Sequence, residues 1–130
     1  MSVYNRITFQ ITLLLCLFLG AATFSVAAEG ASAIKEMAVI MHRLKHYPSP
    51  QGKETLQAIV NNKSTNKNEA ILAKAMLNLE HKVISSDIAG LKSIVASKDA
   101  SADEKDFATI LLNFSHRPSS EDKQRLKSMM

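Results

Sequence analysis

Apolar and polar positions along the chain repeat with a period of 35 residues. Six apolar columns recur at this interval in three copies without a gap. Their members are Met37, Leu72 and Phe107; Ala38, Ala73 and Ala108; Met41, Met76 and Leu111; Leu44, Leu79 and Phe114; Leu56, Leu91 and Leu126; and Ile59, Ile94 and Met129. A fixed period of this length is typical of repeat architectures.

Within each copy the apolar spacing is helical. Met37, Met41 and Leu44 follow one another at intervals of four and three residues, which places them on one face of a helix. After "HYPSP", Leu56 and Ile59 define a second, shorter helix. No stretch shows the alternation expected of a β-strand. Polar capping residues mark the helix starts: Asn66 with Glu69, Ser101 with Glu104, Ser119 with Asp122, and Ser49 before Pro50.

The pattern predicts an all-α fold of three helix-turn-helix repeats, six helices in all, stacked as a short α-solenoid. The repeats span about 32–66, 67–101 and 102–130. A lone hairpin cannot bury its apolar face, whereas stacked hairpins share a continuous core. The alanine column of Ala38, Ala73 and Ala108 allows helices to approach closely.

The two-helix unit, from Ser32 to Met130, resembles the repeats of tetratricopeptide-like and HEAT-like α-solenoids. The tryptophan, the Leu-Gly pair and the tyrosine of the tetratricopeptide pattern are absent, so only the architecture carries over. The resemblance implies a scaffold that binds another protein or a peptide.

The first 28 residues have the layout of a secretory signal peptide. Arg6 provides a positive start, an apolar stretch follows, and "TFSVAA" ends in small residues that predict cleavage after Ala28 or Ala27. An uncleaved anchor is the alternative, although the apolar run is short for a hydrocarbon layer about 30 Å thick. We therefore expect a periplasmic or secreted protein whose mature domain is 29–130 and which meets the membrane only during export.

Composition narrows the function further. Cleavage removes Cys16, the only cysteine, so the mature domain forms no disulfide and depends on its apolar core. It carries 15 basic and 12 acidic residues, which alternate in sign without forming a basic block. This pattern argues against nucleic-acid binding. No glycine-rich phosphate loop or nucleophile elbow is present, so we expect a non-enzymatic protein without a cofactor.

A histidine column accompanies the apolar columns, at His46, His81 and His116. The first interpretation is structural: each histidine closes the first helix of its hairpin by interacting with the carbonyl end. Metal or haem binding is the alternative. In an open stack, equivalent residues lie about 8–10 Å apart, whereas two nitrogens on one zinc ion lie within about 4 Å. The stack therefore predicts that the three histidines do not share an ion.

A second metal hypothesis rests on "HRLKH", in which His42 and His46 stand four residues apart, as on one helix face. A metal-handling or metal-sensing protein that uses this pair is the alternative function.

For the leading function, candidate partner-binding residues occupy positions that match between repeats but vary in chemistry. The Met129 and Met130 end of the stack also predicts self-association, because solenoid ends need polar caps. The two candidate rows are Arg43, Asn78 and Asn113, and His42, Leu77 and Leu112.

Overall fold

The computed structural model describes residues 32–130, which form six α-helices and no β-strand. The helices are α1 (Ala33–Arg43), α2 (Pro50–Asn61), α3 (Lys67–Leu77), α4 (Ser85–Ala96), α5 (Ala102–Asn113) and α6 (Ser120–Met129). The predicted all-α class with six helices is confirmed. The predicted signal peptide lies outside the described residues. Within 32–130, no helix has both the length and the apolar content needed to cross a bilayer.

The helix starts follow the predicted capping chemistry. The Asn66 side chain accepts a hydrogen bond from the Glu69 amide at 2.9 Å, and the Glu69 carboxylate accepts one from the Asn66 amide. Reciprocal boxes of the same kind begin α5 and α6. At the start of α2, the Ser49 hydroxyl accepts from the Gly52 amide ahead of Pro50 in the first helical turn. These side chains satisfy amides that have no partner inside the helix.

The core consists of the predicted apolar columns. All their side chains are buried, and none exposes more than 6% of its surface. Burial is as complete in the first and third repeats as in the second: Leu56, Leu91 and Leu126 are all fully buried. No repeat therefore has the uncovered face of a terminal unit.

The packing is a closed ring, not the open stack that the sequence predicted. Each second helix packs on the first helix of the next repeat: α2 on α3, α4 on α5, and α6 back on α1. The helices α1, α3 and α5 also meet one another, and their Ala38, Ala73 and Ala108 methyl groups are fully buried. Closure follows from burial, since the apolar face of α6 covers the face of α1 that an open stack leaves exposed.

Ring closure removes the free ends from which self-association was predicted. Met129 exposes only 4% of its surface, so it belongs to the core. Met130, directly after α6, is exposed. Self-association remains a prediction, but the described residues show no apolar stack end to drive it.

Candidate metal centre

Each odd-numbered helix leads into the same tight turn. In the first repeat, α1 ends at Arg43, and the Tyr47 amide then donates to the Lys45 carbonyl at 2.8 Å across His46. His46 has a positive φ of 66°, and His81 and His116 have 64° and 63°. A hydrogen bond from residue i+2 to residue i across a residue of positive φ marks a strained γ-turn. Left-handed backbone costs a residue with a side chain about 1–2 kcal/mol.

The three turns are tied to one another through the backbone of the histidines. The His46 amide donates to the His116 carbonyl at 2.7 Å, His116 to His81 at 2.7 Å, and His81 to His46 at 3.3 Å. These three hydrogen bonds form a cycle with threefold pseudosymmetry. In each turn of positive φ the histidine amide donates to the preceding repeat of the ring, and the histidine carbonyl accepts from the following one.

The imidazole rings converge above this cycle. The Nδ1 atom of His46 lies 3.1 Å from that of His81, His81 lies 3.2 Å from His116, and His116 lies 3.4 Å from His46. Ring centroids are 5.0–5.4 Å apart, and all three side chains are exposed. The predicted separation of about 8–10 Å is therefore wrong, because closure brings equivalent residues to a common axis.

The histidines do not form the last turn of the helices, as the structural interpretation expected. They lie three or four residues beyond the ends of α1, α3 and α5. The amide of the capping residue Leu44 donates to the Met41 carbonyl, and Phe114 makes the equivalent bond to Leu111. The backbone of each histidine has a clear structural task, whereas the convergence of the rings needs another explanation.

Hydrogen bonding alone cannot satisfy all three contacts between the Nδ1 atoms. In a neutral imidazole each nitrogen carries either a proton or a lone pair. Among three mutually contacting Nδ1 atoms, at least two are in the same state, so one contact sets lone pair against lone pair or proton against proton. Charging all three rings places like charges within 3.4 Å of one another. A single cation that accepts all three lone pairs removes this conflict.

The triangle also has the dimensions of a metal site. With metal–nitrogen bonds of about 2.0–2.1 Å, tetrahedral angles separate two nitrogens by about 3.3–3.4 Å, and right angles by about 2.8–3.0 Å. The observed edges of 3.1, 3.2 and 3.4 Å lie between these values, close to the tetrahedral one. Three imidazoles with an open fourth position are typical of sites that also accept water or a substrate.

The helix ends add a favourable field for a cation. The carboxyl ends of α1, α3 and α5 all lead to the three histidines. Each helix terminus of this kind carries a partial charge of about −0.5. At the opposite end, each of these helices has an acidic residue in its first turn, and the half-buried Asn68 side-chain amide donates to the buried Glu104 carboxylate there.

The structure separates the predicted binding rows into different environments. His42 and Arg43 line a cleft of about 840 Å³ together with His46 and His116. Leu77 and Asn78 line another of about 540 Å³, and the Asn78 amide donates to Asp87.

In the third repeat, Leu112 packs against the core beside the exposed Asn113. His42 and His46 do not share a helix face, because α1 ends at Arg43 and His46 lies in the turn beyond it.

No protein-family model, curated protein or solved structure matches the chain.

Proposed function

We propose that the protein binds one transition-metal ion per chain through the Nδ1 atoms of His46, His81 and His116. The observation that carries the proposal is the Nδ1 triangle, with edges of 3.1–3.4 Å. Imidazole nitrogen suits Zn²⁺, Cu²⁺, Ni²⁺ and Fe²⁺, whereas Mg²⁺ and Ca²⁺ prefer oxygen ligands. The ligand set therefore favours the first group.

This proposal keeps the metal-handling alternative from the sequence but changes its ligands. His46 is common to both versions, while His42 is replaced by one histidine from each of the other repeats. A site of this kind forms only in the folded chain, because its ligands are 35 residues apart in sequence. The predicted export signal would place the site in the periplasm or outside the cell, and mass spectrometry of the mature protein tests cleavage after Ala28 or Ala27.

The experiment is calorimetric titration of chelator-treated protein with Zn²⁺, Cu²⁺ or Ni²⁺, with Mg²⁺ as the negative control. We expect one ion per chain. His81→Gly or His116→Gly removes a ligand while glycine still accepts the positive φ. Each change should weaken binding by more than the roughly 10–100-fold that loss of an outer-shell partner costs.

His42→Leu is the matched control, since leucine occupies the equivalent positions 77 and 112. It should leave affinity unchanged. If His42→Leu abolishes binding while His81→Gly and His116→Gly do not, the site is the His42 and His46 pair and the proposal is wrong. Absence of binding to all three ions also overturns it.

The predicted protein- or peptide-binding role is a second candidate. A groove of about 730 Å³ beside α1, with exposed Val39 and Tyr47 among its lining residues, favours it. Crosslinking in cells and identification of captured partners, compared between wild type and Val39→Lys, tests this role. A partner captured equally by both proteins would remove the groove from consideration.

A further inference from the structure

The cleft between the turns of the first and third repeats adjoins two of the proposed metal ligands, His46 and His116. Its volume is about 840 Å³, within the range of about 300–1,000 Å³ typical of small-molecule sites. Besides the two ligands, its polar lining consists of His42, Arg43, Lys45, Ser115, Arg117 and Lys123.

The lining is strongly basic. It includes four basic side chains, those of Arg43, Lys45, Arg117 and Lys123, and no carboxylate. The only ion pair within residues 32–130 joins Arg125 to Glu121. None of the four basic side chains of the cleft therefore forms an ion pair with another described residue. Their charge is therefore available to a ligand.

The basic character is not imposed by the fold. The equivalent cleft between the first two repeats, of about 540 Å³, has Asn78 where the basic cleft has Arg43, and Glu80 where it has Lys45. Tyr47 stands where the basic cleft has Arg117, and Lys53 stands where it has Lys123. Lys53 is thus the only positive charge at these four positions. The backbone is the same in both clefts, but in one of them three of the four equivalent positions lack the positive charge.

A metal bound by three neutral imidazoles keeps its full double positive charge. Beside four cations this charge is uncompensated, and three helix ends of about −0.5 each offset only part of it. An anion that coordinates the metal at its open position and extends into the basic cleft would compensate both the charge of the metal and the charges of the four basic side chains. We propose that the cleft binds a small oxyanion, bearing a carboxylate or phosphate group, whose oxygen completes the coordination of the metal. This inference rests on the proposed metal site.

The positive charge of the metal attracts the anion, and the anion in turn stabilises the bound metal. The affinities of the protein for the metal and for the anion are therefore coupled. An anion that raises the affinity for the metal must have its own affinity raised by the same factor. This coupling distinguishes a specific anion site from general attraction by a basic surface. General attraction is screened by salt and does not require the metal.

Cobalt(II) is the probe metal, because its visible absorption responds to a change in the coordinating ligands. The Co²⁺-loaded protein is titrated with inorganic phosphate and, separately, with acetate, each against sodium perchlorate at matched ionic strength. We expect a saturable spectral change with phosphate, acetate or both. The responding arm distinguishes a phosphate ligand from a carboxylate ligand.

Two variants with the same loss of charge provide the control. Lys123→Gln removes a cation from the basic cleft, and Lys53→Gln removes the cation at the equivalent position of the other cleft. Lys123→Gln should weaken anion binding about threefold, given about 0.2–1 kcal/mol for an exposed charge, and adding Arg43→Asn should weaken it further. Lys53→Gln should leave it unchanged.

The outcomes separate this inference from the metal site itself. Failure of the protein to bind Co²⁺, Zn²⁺, Cu²⁺ or Ni²⁺ overturns both. Tight Co²⁺ binding with no spectral response to either anion, or with equal sensitivity to Lys53→Gln and Lys123→Gln, overturns the anion site and leaves the metal site standing.

Discussion

The backbone amide of His46 donates to the carbonyl of His116 at 2.7 Å, although 70 residues separate them. This bond joins the first repeat to the last and completes the cycle in which His81 is the third member. An open stack would hold the same two residues two repeats apart. The bond therefore distinguishes the ring from the solenoid, and it brings the imidazoles together as a direct consequence.

The left-handed backbone of the histidines predicts an unusual order of stabilities among variants. In metal-free protein, His81→Gly should be about 1 kcal/mol more stable than His81→Ala, because glycine adopts a positive φ without a steric penalty. Urea denaturation of the two variants measures the difference. In a helix interior the order would be reversed, so alanine proving the more stable would contradict the turn geometry.

Metal binding should stabilise the folded protein. The three ligands converge only in the ring, so an ion binds the native state far better than the unfolded chain. At free metal one hundred times the dissociation constant, the gain is about 2.7 kcal/mol. Thermal melts with and without Zn²⁺ test this in wild type and in His116→Gly, which should show no comparable rise in melting temperature.

Acid should weaken the metal site. Protons and the metal compete for the same nitrogens, because imidazole coordinates only in its neutral form. The affinity should therefore fall as the solution is acidified from about pH 8 to about pH 5, the range in which histidines commonly change charge. Calorimetry in buffers of different ionisation enthalpy measures the protons released. Affinity that is independent of pH over this range would argue against histidine ligands.

Ring closure predicts equal costs for equivalent core truncations. Leu56, Leu91 and Leu126 are all fully buried. Replacing any one of them by alanine should cost about 2–5 kcal/mol, and the three values should agree closely. Denaturant unfolding provides the comparison. A markedly smaller cost for Leu126→Ala would indicate a frayed terminal repeat and an open stack.

A substitution at the opposite end of the ring should lower the stability of the fold without changing the affinity for the metal. Glu104 accepts hydrogen bonds from the Ser101 amide at 2.8 Å and the Asn68 side chain at 3.2 Å. Glu104→Ala should destabilise the fold by about 1–2 kcal/mol through loss of these bonds. Calorimetry should nevertheless give the wild-type affinity for Zn²⁺ at a temperature where the variant is folded. A parallel loss of affinity would mean that stability alone governs binding.

The sequence was sufficient for the helices and the core but not for the ring. Period and capping residues predict the six helices, because both are local properties of the chain. Closure depends on the rotation from one hairpin to the next, which residue spacing does not encode. In an open stack the histidines lie too far apart to share an ion, and only closure of the ring brings them together.

A signal for the site was nevertheless present beside His46. The residues before the three histidines are Lys45, Glu80 and Ser115, and those after them are also different from one another. An exposed histidine that stays constant while its neighbours change is hard to explain by packing. The positive φ of His46 could not be predicted from the residue type, because a positive φ is commonly associated with glycine and not with histidine.

The backbone cycle of His46, His81 and His116 has a consequence for the size of the smallest assembling unit. Each 35-residue segment, such as 67–101, carries one ligand, one amide and one carbonyl for the cycle, and both surfaces with which neighbouring segments pack. Three identical peptides of this length therefore contain everything needed for a metal-templated homotrimer, and in the single chain the covalent links between segments serve to raise their local concentration.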